Sequence, residues 1–173
     1  MSGFGFTLAV SWDGARWRLL HPASPGLFDG LSGIACPATR RCVAVGATLA
    51  SSFKTLAETW DGTRWRVLAT PTPGGWGALN AVACPLPARC VAVGSTGYGG
   101  VRRPLALAWD GTRWRVLASP PSPDGFGNLL NISCDGPRMC VATGYAGITG
   151  AAGPPLIEVW NGAVWHSESL PMQ

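Results

Sequence analysis

Six regularly spaced cysteines are the residues of this chain best suited to chemistry. They form three pairs with five residues between the members of each pair: Cys36 and Cys42, Cys84 and Cys90, and Cys134 and Cys140. Facing residues at the base of a hairpin have the Cβ separation that a disulfide needs. The alternatives are a metal site or a redox centre, but zinc needs four ligands close together. Each pair stands alone and the only histidines are His21 and His166, so we predict three disulfides, no metal and no cofactor.

Carboxylate catalysis is the second chemistry to consider. Glu58 and Glu158 hold equivalent positions in repeated segments, where Val10 and Leu107 stand in the other copies. Glycoside cleavage requires two acids about 5 to 10 Å apart, and acids in the first and third repeat units need not be that close. Motifs for a nucleophile elbow, a phosphate loop or a zinc protease do not occur in the sequence. We therefore predict no catalytic residue.

Arginine and tryptophan are the remaining residues with binding chemistry. Six arginines flank repeated tryptophans: Arg16, Arg18, Arg64, Arg66, Arg113 and Arg115. We expect either a solvated strand face with guanidinium groups stacked on tryptophan or a surface that binds anions. The formal net charge of +4 is too small for the dense basic patch typical of nucleic-acid binding, so we predict no nucleic-acid partner.

An internal repeat positions all of these residues. The string W-D-G-A-R-W-R-L-L begins at Trp12, recurs as W-D-G-T-R-W-R-V-L at Trp60 and Trp109, and returns weakly as W-N-G-A-V-W-H-S-E at Trp160. A second string, which contains the cysteine pair and continues as Cys-Val-Ala-Val/Thr-Gly, lies between these copies three times. Self-similarity at a period of about 40 to 50 residues is the signature of repeat architectures such as the propeller.

Each unit is predicted to form four short strands, named a to d. Strand a ends at the first cysteine, a five-residue loop follows, and strand b begins at the second cysteine. Strand c runs into the tryptophan, as in 105–109, where alternate positions share one face. Asp-Gly then turns the chain into strand d, and a proline-rich segment ends that strand. Four-stranded units of this length predict the blades of a β-propeller.

The strand count predicts one all-β repeat domain of about three and a half antiparallel blades with 14 strands. A half blade with strands c and d spans 1–25, full blades span 26–73 and 74–122, and a degenerate terminal blade spans 123–173. The first hairpin lacks its own strands a and b. We therefore expect the ring to be completed by another copy of the chain, giving a homo-oligomer, or by the remaining blades of a larger propeller.

The blade pattern resembles that of kelch-type propellers. A glycine follows strand b, Glu-x-aromatic-Asp occupies 58–61, and Trp65 lies on strand d. The pattern departs from kelch in its single glycine, its shorter turn between strands c and d, and its cysteine pair. It is more similar to the W-D-G-x-x-W repeat propellers of secreted proteins from high-GC Gram-positive bacteria, over about residues 8–170. The resemblance implies a propeller and says little about activity.

Composition and cysteine content limit the class of protein and its compartment. With 24 Gly and 15 Pro but only 13% charged residues, the chain is turn-rich and too apolar to be disordered. It lacks an apolar run of about 18 residues, so we predict no membrane partner. Three disulfides predict an extracellular or cell-surface location. Residues 1–6 do not resemble a signal peptide, so this prediction rests on the cysteines.

The predicted function is that of a non-catalytic binding or scaffold module whose ligand is a protein or a glycan. The loop between strands b and c varies most in length, and variable loops on a rigid scaffold carry binding. The candidate contact residues there are Phe53, Lys54, Tyr98, Arg102, Arg103 and Tyr145. Two alternatives remain: part of a carbohydrate-active propeller enzyme with its catalytic residues elsewhere, or a purely structural, self-assembling repeat protein.

Overall fold

The chain folds into antiparallel β-sheets that repeat along the sequence. A computed structural model describes residues 7–118, 122, 125–147 and 153–168. Within these ranges, 14 strands form four separate sheets, three with four strands and one with two. The all-β class and the blade-like organisation predicted from the repeat are therefore confirmed. No helix in the described part of the chain is long and apolar enough to cross a membrane.

The strands of each sheet follow one another in chain order. The half sheet consists of β1 (Ala9–Trp12) and β2 (Trp17–Leu20). The first full sheet consists of β3 (Phe28–Ala38), β4 (Arg41–Leu49), β5 (Phe53–Trp60) and β6 (Trp65–Leu68). The second consists of β7 (Trp76–Leu86), β8 (Arg89–Tyr98), β9 (Val101–Trp109) and β10 (Trp114–Leu117), after a short 3-10 turn at Pro73–Gly75. The third consists of β11 (Gly127–Cys134), β12 (Cys140–Ala146), β13 (Pro155–Trp160) and β14 (Trp165–Glu168).

The turn between strands a and b is shorter than predicted in two of the three full sheets. Strand β3 continues past its cysteine to Ala38, which pairs with Arg41, and β7 continues in the same way. Only two residues therefore turn the chain there, rather than five. The predicted five-residue loop occurs in the third sheet, where Gly136 has a φ of 92°.

The loop between strands b and c is also shorter than predicted. In the second sheet it is Gly99 and Gly100 alone, with φ of 62° and 86°, a conformation that glycine adopts without steric cost. All six candidate contact residues consequently lie in strands rather than in loops. In the third sheet, residues 148–152 lie outside the described residues.

The repeated glycine within strand b is required by close packing of the backbone. A Cβ atom built on Gly46, Gly94 or Gly144 would lie within about 2 Å of a carbonyl oxygen on strand a of the same sheet. Strand a bulges at this place in each full sheet, where its register shifts by one residue. The repeated glycine therefore lets strands a and b approach at the bulge.

Two apolar clusters join the full sheets face to face. The first contains Val45 of the first full sheet with Leu79 and Leu107 of the second. The second contains Val93 of the second full sheet with Leu129 of the third. In β9, Leu105 and Leu107 belong to the first cluster and Ala106 to the second, as alternation along a strand requires. The second sheet is thus buried on both faces.

Candidate functional site

Each sheet has two chemically different ends. In the first full sheet Cys42 lies opposite Trp60, so the cysteine-pair turn and the W-D-G turn lie at the same end. We call this the turn end. The opposite end, where strand b turns into strand c and where strand a begins, is called the hairpin end. Every candidate residue belongs to one of these two ends or to the strands between them.

Three disulfides close the cysteine-pair turns and confirm the predicted pairing. Cys36 is bonded to Cys42, Cys84 to Cys90 and Cys134 to Cys140. The second cysteine of each pair lies opposite the first tryptophan of the W-D-G string, which in turn lies opposite the second tryptophan. The tryptophan rings of each pair lie with centroids 5.4–5.7 Å apart. A disulfide and two indoles thus form one row across each full sheet.

The aspartate of the W-D-G string clamps its own turn. One oxygen of Asp61 accepts hydrogen bonds from the backbone N–H groups of Thr63 and Arg64 and from the Thr63 hydroxyl. The other accepts from Arg66 at 3.1 Å. Hydrogen bonds, that from the Thr63 hydroxyl first, hold the pKa of Asp61 well below its ordinary value. Gly62, with a φ of 94°, supplies the left-handed step, as in an Asx turn.

The same clamp recurs, and the flanking arginines are exposed to solvent beside it. Asp110 makes equivalent bonds, Asp13 makes all but the hydroxyl bond, and Asn161 accepts from two backbone N–H groups in the degenerate copy. The paired arginines lie at these aspartates: Arg16 and Arg18, Arg64 and Arg66, and Arg113 and Arg115. Stacking on tryptophan, which the sequence suggested for them, is not observed among the described residues.

The turn end carries most of the positive charge of the chain. Ten of the 12 arginines lie in the cysteine-pair turns and the W-D-G turns or within two residues of them, together with four aspartates. The exceptions are Arg102 and Arg103 at the hairpin end. Because each W-D-G turn holds two arginines for one aspartate in three of the four copies, the aspartates do not neutralise the surface.

Two equivalent clefts open at the turn end, one at each junction between full sheets. The first cleft has a volume of about 240 Å³ and the second about 150 Å³. The first is lined by Arg41, Val43, Trp60, Asp61, Pro87, Trp109 and Gly111, and the second by Arg89, Val91, Trp109, Asp110, Pro137, Trp160 and Gly162. These lists correspond residue by residue under the repeat. Each cleft therefore offers indole surface from two sheets beside one arginine and one clamped aspartate.

Sequence reasoning missed these clefts, although one signal was present. An arginine precedes the second cysteine of the first two pairs, as Arg41 and Arg89, whereas Met139 stands there in the third pair. Neither guanidinium group makes a hydrogen bond or ion pair within the described ranges. An unpaired guanidinium beside indole surface is the arrangement that could bind a ligand with a negative group.

The candidate cations at the hairpin end have partners within the protein. Arg102 lies over the Trp76 ring at 5.0 Å, since only the glycine at 97 separates them across the sheet. Arg103 lies over Phe126 of the third sheet at 5.8 Å, and Lys54 of the first sheet donates to the carbonyl oxygen of Gly75. These cations therefore join strands and sheets to one another.

The candidate aromatic residues are not brought together into one site. Phe53 and Tyr98 are exposed on different sheets, and Tyr145 of the third sheet is half-buried. Tyr98 shares a groove of about 220 Å³ with Trp76 and Arg102. Tyr98 and Arg102 are thus the two candidates that this groove brings together.

The two glutamates at equivalent positions are fully buried but stay apart. Glu58 lies in the first full sheet and Glu158 in the third, with the second sheet packed between them. Burial raises the pKa of Glu58 to about 7, although its Oε2 accepts a hydrogen bond from the backbone N–H of Ala23 at 3.0 Å. They do not form the paired carboxylates of a glycosidase.

In the described ranges, no three histidine, cysteine or acidic side chains lie close enough together to hold a metal ion. No protein-family model matches the chain, and no curated protein matches it.

Proposed function

We propose that this chain is a non-catalytic binding module that recognises an anionic glycan with its turn end. The observation that carries the proposal is the recurrence of one cleft at two sheet junctions. Repetition of the same indole, arginine and proline surface suits a ligand that itself repeats, such as a polysaccharide. Three disulfides are compatible with an oxidising environment. We therefore propose that the module acts outside the cell, where such polymers occur.

The chemistry of the clefts favours a negatively charged sugar. Trp60 and Trp109 offer flat apolar surface in the first cleft, which suits the apolar face of a sugar ring. Arg41 offers a planar fork of donors, which pairs with carboxylate or sulfate in bidentate geometry. The aspartate in each cleft is ionised, but an arginine ion pair offsets its charge, at 3.1 Å for Asp61 and 2.7 Å for Asp110.

The test compares two double variants that remove the same charge from opposite ends. Arg41→Gln with Arg89→Gln alters the two clefts, and Arg102→Gln with Arg103→Gln alters the hairpin end. Titration of dextran sulfate, followed by calorimetry, should show binding about tenfold weaker in the cleft variant, which corresponds to about 1.4 kcal/mol. The hairpin-end variant should bind like the unmodified chain.

Uncharged dextran and polyglutamate separate sugar recognition from charge. Dextran should bind weakly, since it lacks the anionic group, and polyglutamate should bind more weakly than dextran sulfate, since it offers no sugar ring. Equal losses in both double variants, or equal binding of polyglutamate, would mean that net charge alone attracts these polymers. Either result, or an absence of dextran sulfate binding, would contradict the proposal.

A further inference from the structure

The half sheet presents a strand edge that the full sheets always cover. In each full sheet, strand c pairs with strand d on one side and with strand b on the other. Strand β1 is the strand c of the half sheet, and among the described residues it pairs with β2 alone. The three full sheets therefore show which element occupies the equivalent edge, and in which register.

The uncovered edge leaves an indole exposed that is buried everywhere else. Trp17 is 65% exposed, whereas its equivalents Trp65, Trp114 and Trp165 are 8%, 5% and 4% exposed. Trp114 is buried in one cluster with Cys90 and Ala92 of strand b, and Trp165 in another with Cys140 and Ala142. The same clusters contain Val43 and Val93 of the preceding sheets. Among the described residues, the half sheet therefore lacks two neighbours of this tryptophan, its own strand b and a preceding sheet.

A groove beside the half sheet marks the place of a second contact. At both junctions between full sheets, a valine of strand b packs with a leucine on strand a of the next sheet: Val45 with Leu79, and Val93 with Leu129. The equivalent leucine facing the half sheet is Leu31, which lines an apolar groove of about 320 Å³ together with Leu8, Val10 and Ile34. A valine from a strand b is the side chain that this groove would receive.

We propose that the half sheet binds an a–b β-hairpin of this same repeat type through the open edge of β1. Its strand b adds antiparallel to β1, with the second cysteine opposite Trp12, as Cys42 lies opposite Trp60. Its alternate valine enters the groove at Leu31, and its cysteine and alanine cover Trp17. Main-chain hydrogen bonds supply affinity in such strand addition, and the side-chain pockets supply the register. This inference is independent of the anionic-glycan proposal, which concerns the turn end of the full sheets.

The experiment uses the whole chain and a synthetic hairpin. The probe is a peptide with the sequence of residues 28–49, oxidised at its two cysteines, which contains no tryptophan. Titration should give saturable one-to-one binding, with a blue shift of the tryptophan emission as Trp12 and Trp17 become covered. Analytical ultracentrifugation of the same samples reports the mass of the complex.

Two matched variants of the chain test the docking surface, and one variant of the peptide tests the register of the hairpin. Val10→Lys alters strand c at the acceptor edge, and Val116→Lys alters strand d of a complete sheet; the two valines are similarly exposed, at 53% and 49%. Val10→Lys should weaken peptide binding at least about tenfold, and Val116→Lys should leave it unchanged. A peptide carrying Val45→Asp should bind at least about tenfold more weakly, and this arm leaves the chain itself unaltered.

The proposal is overturned if the peptide does not saturate, if both lysine variants weaken it equally, or if the Val45→Asp peptide binds as well as the original. Dimers of the chain that form without peptide, cover Trp17 and disappear in Val10→Lys would make a second copy the occupant and would also overturn it. None of these results bears on dextran sulfate binding, so the two proposals fail separately.

Discussion

The half sheet and the full sheets contain the same hairpin in two different surroundings. Asp13 accepts the same two backbone hydrogen bonds as Asp61 and Asp110, and the tryptophan pair of the half sheet has a centroid distance of 5.4 Å against 5.6–5.7 Å elsewhere. The large difference is burial, since Trp17 is exposed and Trp114 is not. The comparison teaches that the turn is encoded locally, whereas the burial of the indole depends on strands a and b of its own sheet and on the preceding sheet.

Replacing the equivalent tryptophans should produce the largest difference. Trp114→Ala should lower the free energy of unfolding by about 3–5 kcal/mol, because it leaves a cavity at the junction of two sheets. Trp17→Ala should lower it by about 1 kcal/mol or less, because it removes only a contact with Trp12 at the surface. Urea unfolding, followed by circular dichroism, measures both values. Similar losses in the two variants would contradict the conclusion that the full sheets bury this tryptophan and the half sheet does not.

Glu58 offers a second test, because it links the half sheet to the first full sheet. Its carboxylate accepts the N–H of Ala23 in the connecting segment, while burial raises its pKa from 4.5 to about 7. The folded state therefore holds this proton more tightly than the unfolded state. The contribution of Glu58 to the free energy of unfolding is therefore greatest below about pH 4.5. It falls as the pH rises to about 7 and then stays constant.

The predicted consequence is that Glu58→Gln stabilises the protein at alkaline pH. At pH 8 the free energy of unfolding should rise by about 2 kcal/mol, because the amide removes a buried charge and keeps an acceptor for Ala23. Near pH 4.5 the two proteins should differ little. Glu168→Gln, at an exposed position, controls for the change in net charge. A destabilised Glu58→Gln protein at pH 8 would show that the ionised carboxylate is needed for the link.

The features that could be predicted from the sequence are those encoded within one repeat unit. Alternation around Leu105 and Leu107 indicates strand c, Asp-Gly indicates the turn, and the five-residue spacing of the cysteines indicates the disulfides. Each of these signals spans only a few residues, and it recurs in several repeat units. The strand order and the number of strands therefore followed from the sequence with little ambiguity.

Features that depend on two units were not predicted. The first turn-end cleft combines Trp60 of one sheet with Pro87 of the next, and only the packing of the sheets brings them together. Arg103 was a candidate for ligand contact because it is a cation near a variable loop, yet it lies over Phe126 of the next sheet. A sequence pattern identifies a side chain that can bind, but the choice between an internal partner and an external ligand is made by the tertiary structure.

The smallest expected effect concerns the clamp that the two regions share. Asp13→Ala and Asp61→Ala should each lower Tm slightly, because each removes two backbone hydrogen bonds in a solvent-exposed turn. The shift should be slightly greater for Asp61→Ala, because Asp61 also accepts the Thr63 hydroxyl. Asn at either position should retain most of the stability, since Asn161 already accepts the same backbone bonds in the third full sheet. Differential scanning calorimetry of the four variants measures the shifts. A much larger shift for Asp61→Ala than for Asp13→Ala would mean that the clamp depends on the surrounding sheet, and the separation of local turn from tertiary burial would no longer hold.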